Sequence, residues 1–105
     1  MNDGQGRKVS PMGLLFEWDP EKVRLNVKRH GVSFDEASTA LRDPLSRTID
    51  DPLHSDDEER LVLIGQSHKG RLLVVVHTER ADRIRIVSAR VATNKERFRH
   101  EENGK

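Results

Sequence analysis

Apolar residues along this chain fall in short blocks whose spacing changes from strand-like to helix-like and back. Leu14 to Trp18 is a compact apolar run and reads as a strand. Asp19-Pro20-Glu21 then has the chemistry of a helix start, with Asp as N-cap, Pro in the first turn and an acid beside it. Val23 and Val27 give that helix one apolar stripe. Lys28, Arg29 and His30 fall in its last turn, and Gly31 ends it. Ser33 and Glu36 have the spacing of a capping box for a second helix, whose stripe is Phe34, Ala37, Ala40 and Leu41. Asp43-Pro44 stops it.

The second half reads differently. Leu45 to Asp50 is a candidate strand, and Asp51 to Glu59 is a loop too charged to be buried. Three strands are expected next, over 60–66, 71–78 and 83–91, joined by turns at Ser67-His68-Lys69-Gly70 and at Glu79 to Asp82. Leu72-Leu73-Val74-Val75-Val76 is uninterrupted, the pattern of a strand covered on both faces, so it belongs at the sheet centre. In the last strand Ile84 and Ile86 share one face, with Arg85, Val87 and Ala89 on the other. Thr93 and Glu96 form another capping box and open a final helix, to which only Phe98 offers an apolar anchor, so that helix is either frayed or docked on a partner. Helices segregated from a strand meander define an α+β domain over residues 14–102. Residues 1–13, poor in apolar groups, read as a flexible tail.

Composition narrows the class. The chain has 105 residues, and Leu, Ile, Val and Phe make up 27 of them, enough for one small core. Cysteine is absent, which excludes disulfides, thiolate metal sites and a cysteine nucleophile, and fits a cytoplasmic setting. No apolar run approaches the roughly 18 residues of a membrane helix, so no membrane partner is expected.

The net charge of +1 conceals a segregation. Residues 32–59 carry 2 basic and 9 acidic groups, whereas 60–100 carry 10 basic and 3 acidic. Eight of those ten are arginines, whose forked donors suit phosphate or carboxylate. A basic face on a small domain suggests nucleic acid, although the same arginines could pair with the acidic block.

Candidate chemistry follows from the basic set. The five histidines form no close ligand pair, so neither a metal nor another cofactor is expected. There is no glycine-rich phosphate loop and no nucleophile-elbow serine. Lys28, Arg29 and His30 are explained by helix-dipole complementarity alone, but they also supply an acid or base beside cations. Glu79 and Arg80 end the central strand; Arg60 opens the meander; Arg85 and Arg90 interrupt an apolar strand. Together such groups could cleave RNA without metal. That reaction needs a base for the 2′-hydroxyl, an acid for the leaving 5′-oxygen and cations on the phosphorane.

Several segments, in order and at their spacings, resemble the BrnT family of type II toxins. They are Phe16-Glu17-Trp18-Asp19-Pro20, Asn26-Val27-Lys28-Arg29-His30-Gly31-Val32-Ser33-Phe34, Asp43-Pro44, His54-Ser55, Glu58-Glu59-Arg60, Ile64-Gly65, Gly70-Arg71, Thr78-Glu79-Arg80, Ile84-Arg85-Ile86 and Ser88-Ala89-Arg90. The resemblance implies a RelE-like fold, a small antiparallel sheet with two N-terminal helices and a C-terminal helix. It implies a metal-independent endoribonuclease that arrests growth by cutting RNA and blocking translation. It also implies a BrnA-type antitoxin that masks the toxin, binds operator DNA and brings the complex to its own operon. On this reading the catalytic candidates are His30, Glu79, Arg60 and Arg80, with His30 and Glu79 competing as acid or base. Lys28, Arg29, Arg85 and Arg90 are the candidate phosphate ligands. The active surface is expected where the end of the first helix meets the exposed face of the meander. Where the family commonly has Lys before the His-Gly pair, this chain has Arg29. A non-catalytic co-repressor that binds nucleic acid, and an interaction subunit whose charges serve docking alone, are the alternatives.

Overall fold

The computed structural model describes residues 7–9, 15–51 and 60–103. The order is β1 (Arg7–Val9), β2 (Leu15–Glu17), α1 (Pro20–His30), α2 (Phe34–Ala40), β3 (Arg47–Asp50), β4 (Arg60–Gln66), β5 (Leu72–Arg80), β6 (Arg83–Val91) and α3 (Asn94–Asn103). The architecture is α+β, as expected. One sheet runs β1-β2-β6-β5-β4-β3 with β5 inside it. It is mixed rather than wholly antiparallel, because β2 lies parallel to β6, with Phe16 opposite Ile84 and Glu17 opposite Arg85. A parallel pair needs a long connection, and here α1, α2 and three strands intervene.

Part of the expected tail is structured. Arg7–Val9 pairs antiparallel with β2. Such an edge strand is held by main-chain hydrogen bonds and leaves almost no hydrophobic signature in the sequence. The remaining residues of 1–14, and the acidic loop after Asp51, lie outside the described residues.

The core forms on one face of the sheet. Phe16, Val32, Phe34, Ala37, Ala40, Leu63, Leu73, Val75, Ile84, Ile86 and Ala89 are buried together, with Trp18, Val23 and Leu41 at the margin. Trp18 meets Phe34 edge-on at 6.3 Å between ring centroids. Val74, on the opposite face of β5, is buried as well, so the central strand is covered on both sides.

α1 starts and stops as its sequence predicts. Asp19 accepts from the Glu21 amide at 2.9 Å, and Gly31 closes the helix at φ 70°. Its buried face differs from the expected stripe. Val27 is 45% exposed, and Asn26 takes the inner position instead. β2 covers β6 over residues 83–85 only, so the main chain farther along β6 would be an open edge. Asn26 fills that gap: Nδ2 donates to the carbonyls of Ala89 (2.7 Å) and Val32 (2.8 Å), and Oδ1 accepts from the Ala89 amide (3.1 Å). One polar side chain thus completes the ladder where an apolar one would leave donors and acceptors unpaired.

Glu36 also departs from expectation. Ser33 caps α2 by accepting from the Glu36 amide, but the Glu36 carboxylate turns inward. It receives Arg71 Nε at 3.0 Å, Arg71 Nη2 at 2.5 Å and Ser67 Oγ at 2.7 Å. Arg71 also donates to the Gly31 carbonyl at 3.1 Å. The carboxylate is 1% exposed, so its charge is tolerated only because the paired guanidinium and hydroxyl replace water. Nearby, a Cβ on Gly65 would lie 2.7 Å from the Ala40 carbonyl oxygen, so β4 approaches α2 where only glycine fits.

A bulge at Val76/His77 shifts the register so that Ala89 joins Ile84 and Ile86 in the core rather than facing away. The turn is also tighter than Glu79 to Asp82: the strands run to Arg80 and from Arg83, with Ala81 at φ 52°. α3 forms behind a reciprocal Thr93–Glu96 box at 2.9 and 3.1 Å. Phe98 does not anchor it, being 61% exposed, and no residue of α3 is buried. Polar contacts hold it instead: Arg90 forks onto Glu96 at 2.8 and 2.9 Å, and Arg47 donates to the Asn103 carbonyl. Among the described residues no helix is long and apolar enough to cross a membrane.

Two stability predictions follow. Asn26→Leu strips partners from three buried main-chain groups and is expected to cost about 3 kcal/mol in urea unfolding, at roughly 1 kcal/mol per group. Glu36→Gln is expected to cost about 2 kcal/mol at neutral pH through loss of charge-assisted hydrogen bonds. Arg71 holds the Glu36 carboxyl below its ordinary pKa, with Ser67 assisting and burial opposing. Its contribution is therefore complete above the ordinary carboxylate range, near pH 4.3, and is lost as pH falls through the lowered value. Melting temperature measured from pH 7 to pH 2 should fall less steeply in Glu36→Gln than in the native chain.

Candidate functional site

The face of the sheet opposite α1 and α2 is lined with arginine. Alternation along β4, β5 and β6 sends the core residues one way and Arg60, Val62, Val76, Thr78, Arg85, Ser88 and Arg90 the other. Register then aligns them. Arg60 is opposite Thr78, Thr78 is opposite Arg85, and Arg85 is opposite Glu17 of β2. Four strands therefore carry one row, Arg60–Thr78–Arg85–Glu17, at steps of about 4.8 Å. Thr78 is buried between its two arginine neighbours. Glu17 lies 3.5 Å from Arg83 and 3.8 Å from Arg85.

The end of α1 reaches this face from the side. A cleft of about 260 Å³ is lined by Lys22, Leu25, Asn26, Arg29, His30, Val87 and Ser88. Arg29 and His30 come from the last helical turn, where the helix dipole favours cations. Val87 and Ser88 come from β6 at the bulge, and Ser88 points to the arginine-bearing face. Asn26 makes this meeting possible by tying α1 to Ala89. Of the residues expected at the end of α1, Arg29 and His30 line this cleft. Lys28 is exposed but does not line the cleft.

Other candidates are placed elsewhere. Glu79 is opposite Ile84, so it shares the core-facing side of the sheet, away from Arg60 and Arg85. Its carboxylate is 3.1 Å from Nε2 of His77. Burial lowers the His77 pKa, while Glu79 and the Val75 backbone oppose that shift. His77 itself is fully buried. Arg90 shares the face of Arg60 and Arg85, but both its terminal nitrogens are engaged by Glu96. That fork holds the Glu96 carboxyl down to about 2, with burial opposing and Thr93 assisting. Arg80 ends β5; its side chain lies outside the described residues. No three histidines or carboxylates converge among the described residues.

α3 flanks the open face. Between it and the sheet is a groove of about 270 Å³ with Ile49, Val62, Ile64 and Val74 as its floor and Arg47, Arg99 and His100 at its edge. A larger opening, about 520 Å³, lies between α3 and the segment from Asp43 to Arg47, away from His30. The sequence assigns Glu36 a capping role and places Asn26 and Arg71 only within segments of family resemblance, so the buried bonds of Glu36 with Arg71 and of Asn26 with Ala89 are not visible in it. A charged or amide residue inside a short helix carries no signal until its long-range partner is known.

Over residues 18–96 the chain matches the model of a family described as ribonuclease toxin, BrnT, of type II toxin–antitoxin systems. Among solved structures it is similar to the crystal structure of the Brucella abortus ribonuclease toxin BrnT. The TM-score is 0.58 at 21% identity, over 73% of this chain and 94% of that one. At that identity the likeness shows a shared fold. Among curated protein sequences none matches significantly. The matched segment includes α1, α2, all of β3 to β6 and the Thr93–Glu96 box, so it contains the whole cleft and Arg60, Thr78 and Arg85 of the row, and begins just after Glu17. The chain belongs to the BrnT family of ribonuclease toxins of type II toxin–antitoxin systems.

Proposed function

We propose that this chain is a metal-independent endoribonuclease whose cleavage of RNA arrests translation, and that a BrnA-type antitoxin neutralises it. Membership of a type II family implies a protein antitoxin. Its identity as a BrnA-type, operator-binding protein belongs to the proposal. The observation that carries the site assignment is the cleft in which Arg29 and His30 meet Ser88 at the rim of the arginine-bearing face.

In the proposed reaction the 2′-oxygen attacks phosphorus and the bond to the 5′-oxygen breaks. The products are a 2′,3′-cyclic phosphate and a 5′-hydroxyl. His30 takes the proton that leaves the 2′-hydroxyl and returns one to the 5′-oxygen, since an imidazole offers both an acceptor and a donor nitrogen. Arg29 at the cleft, with Arg60 and Arg85 across the open face, supports the charge on the phosphoryl oxygens. The geometry favours His30 over Glu79 as the acid–base group, because Glu79 stands on the other side of the sheet and accepts from His77. Arg90 is assigned to holding α3, since Glu96 occupies its fork.

The test is RNA cleavage in excess EDTA. Native protein is expected to cut. Folded His30→Ala should lose roughly 10²- to 10⁴-fold in rate, the range of a positioned acid–base group, whereas Glu79→Ala should retain most of its activity. Abolition by EDTA would overturn metal independence. Full activity of His30→Ala would overturn the acid–base assignment. RNA bound but left intact by the native protein would favour the non-catalytic co-repressor.

A further inference from the structure

Glu17 places an acid on an otherwise basic face. It comes from β2, where Phe16 turns into the core and its neighbour must therefore turn out. Its side chain is only 20% exposed, while Arg83 and Arg85 beside it are about half exposed. The parallel register sets Glu17 directly across from Arg85, and Arg85 directly across from Thr78. One carboxylate thus lies within 4 Å of two like-charged side chains that flank it along β6.

We propose that Glu17 is a positioning residue for RNA, fixing Arg85 beside Thr78 so that its fork is presented to a backbone phosphate. This rests on the reading of the open face as the RNA-binding surface. Without the carboxylate, Arg83 and Arg85 repel each other and each gains rotamer freedom that must be given up again on binding. A side chain already held near its bound geometry loses less. Glu17 touches no phosphate itself, and its effect passes through Arg85.

The proposal opposes simple electrostatics in sign. Removing an anion from a basic face should strengthen the attraction of a polyanion. If Glu17 positions Arg85, its removal should instead weaken binding. The probe is a single-stranded RNA oligonucleotide with 2′-O-methyl groups, which cannot undergo 2′-oxygen attack, titrated at physiological salt. Glu17→Gln is expected to bind roughly fivefold more weakly, a coupling typical of contacting residues. The same substitution in an Arg85→Ala background should have no further effect. Thermal melting confirms that each variant is folded. Glu17→Asp, which keeps the charge but shortens its reach, serves as the second variant and should show a smaller loss in the same direction.

Equal or tighter binding by Glu17→Gln overturns the proposal, as does an equal loss in the Arg85→Ala background. Native protein that fails to bind the oligonucleotide defeats the reading of the open face and the role of Glu17 with it. Native protein that binds this probe but leaves ordinary RNA intact defeats only the nuclease reading, and the Glu17–Arg85 coupling is still decided by the titration.

Discussion

The carboxamide of Asn26 is the constraint on which the site depends. It satisfies both main-chain groups of Ala89 and the carbonyl of Val32, so it joins α1 to the uncovered stretch of β6 and to the segment leading into α2. An apolar residue could fill the volume but not the hydrogen bonds, and an ionised carboxylate could not donate. Because Asn26 sits one helical turn before His30, fixing it also fixes where the last turn of α1 projects. The position of Arg29 and His30 beside Ser88 follows from this junction.

Glu36 and Arg71 act on the other end of the same connection. Their pair joins α2 to the β4–β5 turn, and Arg71 continues to the Gly31 carbonyl that closes α1. The loop from Gly31 to Ser33 is therefore held from both sides, by Asn26 at Val32 and by Arg71 at Gly31. Asn26 and Glu36, buried in a small domain, are costly to desolvate. Here they fix the short link between helices from which the cleft is built, while the apolar core beneath supplies the non-directional burial.

Local signals were legible in the sequence wherever the determinant is local. Asp19-Pro20, Gly31 and the Thr93–Glu96 box each set a helix terminus through residues within a few positions, and β4 and β6 begin and end where their apolar patterns do. The uninterrupted apolar run correctly marked β5 as interior. What failed to show was pairwise and distant. Asn26 to Ala89 spans 63 positions, and Glu36 to Arg71 spans 35. β1 has no side-chain pattern of its own, and the bulge beside His77 reverses the face of every residue beyond it. Arg29 and His30 carry visible chemistry and line the cleft, whereas Val87 and Ser88 opposite them carry none, and Glu79 and Arg90 took their candidate roles through the family resemblance. Strand parity separates Glu79 from the set, and Glu96 engages Arg90.

α3 follows a different rule of stability from the rest of the chain. With no buried residue, it is retained by charged and hydrogen-bonded contacts at its two ends rather than by removal of apolar surface from water. Such a segment has its own opening equilibrium, set by those few contacts and weakened by salt, while the sheet beneath opens only with the global transition. Amide hydrogens of α3 should therefore exchange by local detachment, and those of β5 by unfolding of the whole domain. The molecule is thus two cooperative units of unequal depth, and the shallower one borders the face where the arginines stand.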